Sequence, residues 1–201
     1  NPQTVECGST YQNPGATAVD ACGTDLTAVV AVSGDAVNTA VKGTYTVAYN
    51  VNDGAMNAAA QVTRTVNIVD TTPPVITRLG NPTVIVECGF NFTDAGATAL
   101  DACDGDLTSS IVRTNPVNTT NPGVYVVRFN VTDSAGLAAQ EVTRTVTVQD
   151  TTPPTITRMG NATVTVACGS VYTDAGATAL DGCDLLITNR IVTTNPVNTW
   201  V

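Results

Sequence analysis

A block of 23 residues occurs three times in this chain: VECGSTYQNPGATAVDACGTDLT from Val5, VECGFNFTDAGATALDACDGDLT from Val86 and VACGSVYTDAGATALDGCDLLIT from Val166. The first cysteines fall at positions 7, 88 and 168, a period near 80 residues. A second block keeps the same register, GTYTVAYNVNDGAMNAAAQVTRTVNIVDTTPPVITRLGN from Gly43 and GVYVVRFNVTDSAGLAAQEVTRTVTVQDTTPPTITRMGN from Gly123. Such self-similarity forces tandem copies of one small fold, each with its own core. The period predicts units at 1-70, without the preceding PPVITR strand, at 71-150, complete, and at 151-201, without the counterpart of residues 122–150. A sandwich lacking its last two long strands exposes an apolar face and unpaired edges. The expectation is therefore a piece of a longer protein, or a third unit completed by another chain.

Within a unit the pattern is that of strands. Tyr45, Val47, Tyr49 and Val51 alternate with Thr44, Thr46, Ala48 and Asn50, and Tyr125, Val127, Phe129 and Val131 repeat the pattern, the period-2 signature of a strand with one buried face. Asn52 to Gly54 and Asp133 to Gly136 read as turns into the strands around 61–69 and 141–148, so each pair predicts a hairpin. Thr and Val dominate and no apolar stripe of helical period is present. The fold class expected is all-β: tandem two-sheet sandwiches in a rod-like array. The paired prolines of the two DTTPP junctions make the joints short and stiff.

Composition removes several functions. One lysine, Lys42, and seven arginines against 17 acidic residues give a net charge of -9, which excludes nucleic acid as a partner. The absence of histidine removes Ser-His-Asp and Cys-His nucleophiles and His-ligated zinc from this chain. No run approaches the ~20 apolar residues of a membrane-spanning helix, and no basic-then-apolar leader opens the chain at Asn1.

Each unit carries two cysteines 15 positions apart: Cys7 and Cys22, Cys88 and Cys103, Cys168 and Cys183. The simplest connectivity is a disulfide within each unit, worth roughly 3 kcal/mol in the chain-entropy model; reduced, buried thiols are the alternative. Val84, Val86 and Cys88 share a strand face, as do Val164, Val166 and Cys168, so the first thiol of a pair points toward the core. Stable disulfides predict an extracellular or cell-surface setting.

YTDAGATALDxCDxxLT followed by NPVNTTNPGVYVVRFNVTDSAGLAAQEVTRTVTV resembles the bacterial immunoglobulin-like repeat of multidomain surface proteins, secreted hydrolases and a pesticidal crystal protein. The DTTPPxIT junction is similar to that of hyalin-type repeats. The resemblance covers essentially the whole chain and implies an extracellular immunoglobulin-like sandwich acting as spacer or adhesive stalk, a setting rather than an activity. The sequence departs from the usual pattern in its cysteine pair and in the Asp-Gly-Asp element, intact only at Asp104-Gly105-Asp106.

Asp101, Asp104 and Asp106 lie within six residues, and Asp150 precedes the junction prolines, a set of hard oxygen donors suited to calcium at a unit boundary. Capping of turns by the same aspartates is the competing reading. They make poor glycosidase carboxylates, since no aromatic sugar platform accompanies them and the third unit has lost the counterpart of Asp106. A Lys-Asn isopeptide crosslink needs a lysine that the second and third units lack. Asn91, Asn118, Asn130 and Asn161 head glycosylation sequons. The function expected is that of a non-enzymatic extracellular structural or adhesion protein, with no cofactor beyond calcium. The alternative is an accessory, carbohydrate-binding array attached to a secreted hydrolase. Neighbouring repeats, further copies of the chain, or a surface glycan or protein are the partners expected.

Overall fold

A computed structural model describes residues 2–200, so the expected unit limits at Asn1 and Val201 lie outside the described residues. Those residues form β1 (Gln3–Glu6), β2 (Ala31–Gly34), β3 (Gly43–Asn50), β4 (Val62–Val69), β5 (Val75–Arg78), β6 (Thr83–Glu87) and β7 (Ala97–Asp101). There follow β8 (Gly105–Asp106), β9 (Val112–Thr114), β10 (Gly123–Asn130), β11 (Val142–Gln149), β12 (Thr155–Arg158), β13 (Ala177–Asp181) and β14 (Leu185–Leu186). Helix is limited to 3-10 turns at Thr27–Val29, Thr108–Ser110 and Thr188–Arg190, and no helix among the described residues is long and apolar enough to cross a membrane.

The sequence repeat reappears in the sheets. Two four-stranded sheets have the orders β1-β4-β3-β2 and β6-β11-β10-β9, and two three-stranded sheets have the orders β5-β7-β8 and β12-β13-β14. The expected hairpin is present, β3 pairing antiparallel with β4 from Gly43↔Ile68 to Tyr49↔Val62. Beside it, β1 runs parallel to β4 with Glu6 opposite Val69, as β6 runs parallel to β11 with Glu87 opposite Gln149. This pairing delivers the VEC triplet to the end of the strand that leads into a DTTPP junction.

The chain divides into two compact units. One comprises residues up to Thr77 with Ala97–Val112 and Phe129–Val142; the other comprises Arg78–Gly96, Arg113–Arg128 and the residues from Thr143 onward. In the first, Val47, Tyr49, Val66 and Ile68 form a core with Cys7, against which Tyr11, Ala16, Val30 and Val37 pack. In the second, Val127, Val146 and Val148 are almost fully buried, and so is Arg144.

Two expectations are corrected. The TVTVAC segment, expected to mirror β6, forms no strand at 163–167. A β6-type strand exists by parallel pairing with a β11-type partner, and no counterpart of β10 and β11 follows the third block in this sequence; Val164 and Cys168 are exposed. The second correction concerns the cysteines. The disulfides join Cys7 to Cys103 and Cys88 to Cys183, with Cα–Cα distances of 5.2 and 5.1 Å, while Cys22 and Cys168 are free and exposed. Each bridge thus links the first cysteine of one sequence repeat to the second cysteine of the next, not the two within a repeat. The reason lies in the strand directions. β12 and β13 pair antiparallel, Thr155 opposite Leu180, so the chain returns toward the incoming junction before reaching Cys183, and β5 and β7 are likewise neighbours in one sheet. The first cysteine instead sits at the outgoing junction, the Cys7 amide donating to Val69 O and the Cys88 amide to Gln149 O.

The glycine after each bridged first cysteine makes this approach available. Gly8 and Gly89 have φ of +77° and +84°; a Cβ on Gly8 would lie 2.9 Å from Ala102 O, and one on Gly89 would collide with the carbonyl of Gly182. Gly89→Ala is expected to cost about 2–4 kcal/mol in urea unfolding, combining left-handed strain and overpacking. Gly136→Ala, at φ +85° with nothing within 4 Å of a Cβ, isolates the backbone part at about 1 kcal/mol. Equal costs at the two positions would mean that no close approach exists at Gly89.

Candidate functional site

The junction after Val69 gathers the polar chemistry of the first compact unit. Glu6, at the end of β1, clamps the linker. Its Oε1 accepts from the Thr71 amide (2.9 Å) and the Thr72 hydroxyl (2.9 Å), and its Oε2 accepts from the Thr71 hydroxyl (2.8 Å). In the other unit Glu87 repeats the clamp, accepting from the amide and hydroxyl of Thr151 (2.7 and 2.8 Å) and from those of Thr152 (2.9 and 2.9 Å). The Thr71 and Thr151 amides, followed by the threonine hydroxyls, hold both carboxyls below the ordinary glutamate range, so the charged, bond-accepting form is the one present at neutral pH. Ala167 takes the glutamate's place in the third block.

Three further carboxylates close on this linker. Asp101 ends β7, and its Oδ1 accepts from the amides of Cys103 and Asp104, both at 2.8 Å, a turn that orients the bridged cysteine. Asp20 and Asp181 turn Cys22 and Cys183 in the same way. Asp133 opens the turn after β10, with Oδ1 accepting from the amides of Ala135 and Leu137 at 2.8 Å. Asp70 begins the linker, and its side chain is 2% exposed. One carboxylate oxygen from each of Asp70, Asp101 and Asp133 lies within 4.8 Å of the others. Beside them Asp104 accepts from the amide (2.6 Å) and hydroxyl (2.8 Å) of Ser134, which also accepts from Lys42 Nζ at 2.6 Å. The Ser134 amide and then its hydroxyl, with Lys42 adding charge, draw the Asp104 carboxyl below the usual aspartate range.

The structure sorts the sequence-derived residues as follows. Asp101 and Asp104 stand at this junction. Asp106 is exposed and accepts from the Thr108 amide at 2.8 Å, outside the group. Asp150 is exposed at the second junction, where it lines a cavity with Asp181, Asp184 and Arg190. Asn91, Asn118, Asn130 and Asn161 are all exposed, with the Asn118 side chain turned onto Thr120 and Asn130 bonded to Glu141. Sequence reasoning missed Asp70, Asp133, Glu6 and Glu87. Asp70 is the repeat counterpart of Asp150, and the glutamates recur in the VEC triplet, so the signal was periodic rather than local.

Parallel edge strands beside hairpins, a second smaller sheet and Asx-turned cysteines at the junctions define a disulfide-bearing immunoglobulin-like domain protein. The chain belongs to the bacterial surface protein Ig-like domain family, whose profile matches residues 1–68 and 76–148. Among curated relatives it is 34% identical over 196 residues to hyalin from Strongylocentrotus purpuratus, covering 90% of this chain and 16% of that protein. It is 32% identical over 143 residues to the pesticidal crystal protein Cry22Aa of Bacillus thuringiensis, covering 66% of this chain and 18% of that protein. The chain thus spans less than a fifth of the length of either. Among solved structures, the lipoprotein BT2262 from Bacteroides thetaiotaomicron is 29% identical, covering 40% of this chain and 39% of that one, with a TM-score of 0.36. The M60 catalytic domain with CBM51-1 and CBM51-2 domains from Clostridium perfringens ZmpB is 15% identical, covering 88% and 32%, with a TM-score of 0.45.

Proposed function

We propose that this chain is a segment of a non-enzymatic extracellular array in which immunoglobulin-like repeats act as stalk, spacer or filament. One observation carries the reading: both disulfides run from one sequence repeat to the next, with separations of 96 and 95 residues. Each bridge spans two sequence repeats, so the joint between them is itself covalent. The glutamate clamps on the two junctions act in the same sense. Under this rule Cys22 takes the first cysteine of a preceding repeat and Cys168 the second cysteine of a following one, in the same chain or in another copy. Adjoining repeats are then the principal partners, at the cell surface or outside the cell.

The test is a thiol map of the native protein, alkylated before digestion and sequenced without reduction. Expected are linked peptides for Cys7–Cys103 and Cys88–Cys183, with Cys22 and Cys168 either alkylated or joined to a further repeat. Bridges of Cys7 to Cys22 and Cys88 to Cys103 would leave each repeat independent and remove the support for the proposal.

A further inference from the structure

We infer that Asp70, Asp101 and Asp133 form a binding site for a hard divalent cation, calcium in the extracellular concentration range. The inference goes beyond the array reading and does not depend on it. Proximity of acids alone says little, since exposed aspartates cap turns throughout this chain. The deciding feature is the state of the second oxygens. Oδ2 of each of the three aspartates is buried and has no hydrogen-bond partner. Asp133 is 8% exposed as a residue, and the Asp70 side chain is 2% exposed. For Asp101 and Asp133 the backbone amides are spent on Oδ1, leaving Oδ2 without a donor in a group whose carboxylates lie within 4.8 Å of one another. Buried, unsatisfied oxygens on three neighbouring aspartates are unfavourable unless a cation joins them.

Lys42 is the cation already near. Its Nζ lies 3.5 Å from Asp70 Oδ2, but its hydrogen bond goes to Ser134 Oγ. One ammonium supplies charge to one of the three carboxylates and coordinates none of them. The donors present also select the ion. Cys103 Sγ is close to Asp70 and Asp104, yet it is held in a disulfide and offers no thiolate, so only carboxylate oxygen remains and soft metals are disfavoured. Calcium accepts six to eight oxygens in irregular geometry and tolerates water in the remaining positions, whereas magnesium demands a near-ideal octahedron. The three ligands come from the linker, the turn that carries the bridged cysteine and the turn after β10, so one ion fastens the junction to two loops at once.

The experiment titrates calcium chloride into the chelator-treated, oxidised full chain by calorimetry, with amide spectra recorded in parallel. Expected is one site with Kd in the range of about 10⁻⁴ to 10⁻³ M, and shifts centred on residues 70, 101–104 and 133–137. Asp133→Asn keeps the Oδ1 acceptor and removes the charge; it should weaken binding by more than about tenfold. Lys42→Met should tighten binding several-fold, and Asp106→Asn should leave it unchanged. No binding up to about 10 mM calcium would overturn the site. So would undiminished binding by Asp133→Asn, or shifts centred on Asp150, Asp181 and Asp184. The amide shifts of the unmutated chain decide the matter alone if Asp133→Asn fails to fold.

Discussion

Pulled from its two ends in oxidising buffer, the chain is expected to stop short at a small fraction of its contour length. The shortest covalent path from Cys7 to Cys183 passes through one disulfide to Cys103, back along the 15-residue step to Cys88, and through the second disulfide to Cys183. Fifteen residues reach about 50 Å when fully extended, against roughly 600 Å for the whole stretch without bridges. Reductant should therefore lengthen the unfolded chain about tenfold between these points. Bridges within repeats hide only the short loops between their cysteines, leaving most of the length free under either condition. Single-molecule extension in the two buffers separates the cases; equal extension would refute the inter-repeat pairing. The same bridges bear on stability, because each closes a loop of 96 or 95 residues, worth about 4.7 kcal/mol alone in the chain-entropy model. The loops overlap between Cys88 and Cys103, so the two contributions do not add. A fall in Tm of roughly 10–20 °C on reduction follows for a chain of this size.

The alternation at Tyr45–Val51 and Tyr125–Val131 was enough to place β3 and β10 and to foresee their hairpins, because a half-buried strand writes its register into the sequence every second residue. The same rule puts Arg144 on one face with Val142, Val146 and Val148, but its burial is explained only by the Asp94 carboxylate that the fold brings to it. The cysteine pairing was not legible. A spacing of 15 suggests a local loop, and only the placement of β7 beside β5, the antiparallel return of β13 beside β12 and the parallel placement of β6 beside β11 reveal that the two thiols of a repeat serve different junctions. The acidic site was half legible: Asp101 stands out in the Asp-rich loop, whereas Asp70 and Asp133 look like ordinary linker and turn residues until three distant segments meet.

Asp94→Ala is expected to be the most damaging substitution in the second repeat, costing about 3–5 kcal/mol in denaturant unfolding of the oxidised chain. Asp94 has a fully buried side chain that pairs with Arg144, itself 1% exposed, while the Arg144 guanidinium also donates to the carbonyl oxygens of Leu79 and Asn81. Asp94 Oδ1 further accepts from the Gly96 amide at 2.7 Å. Truncation leaves a buried guanidinium without its counter-charge, and Arg113, 4.0 Å from Asp94 and half exposed, offers only more positive charge. Combining Asp94→Ala with Arg144→Met removes the stranded charge and should recover most of the loss. The molecule contains its own control, since Thr93–Leu100 and Thr173–Leu180 are the same octapeptide TDAGATAL. Asp174 is exposed and accepts from Tyr172 Oη and the Gly176 amide; Asp174→Ala should cost under about 1 kcal/mol. The first repeat shows how the pair can be replaced. Asn13 stands where Asp94 would be and accepts from the Tyr49 hydroxyl, and Arg64 lies 5.8 Å from the centre of the Tyr49 ring while donating to Gly15 O. A neutral hydrogen bond and a cation–π contact there do the work of an ion pair, at the expense of a buried Arg64 Nε without a partner. Equal costs for Asp94→Ala and Asp174→Ala would show that the octapeptide, rather than its buried arginine partner, sets the stability of the repeat.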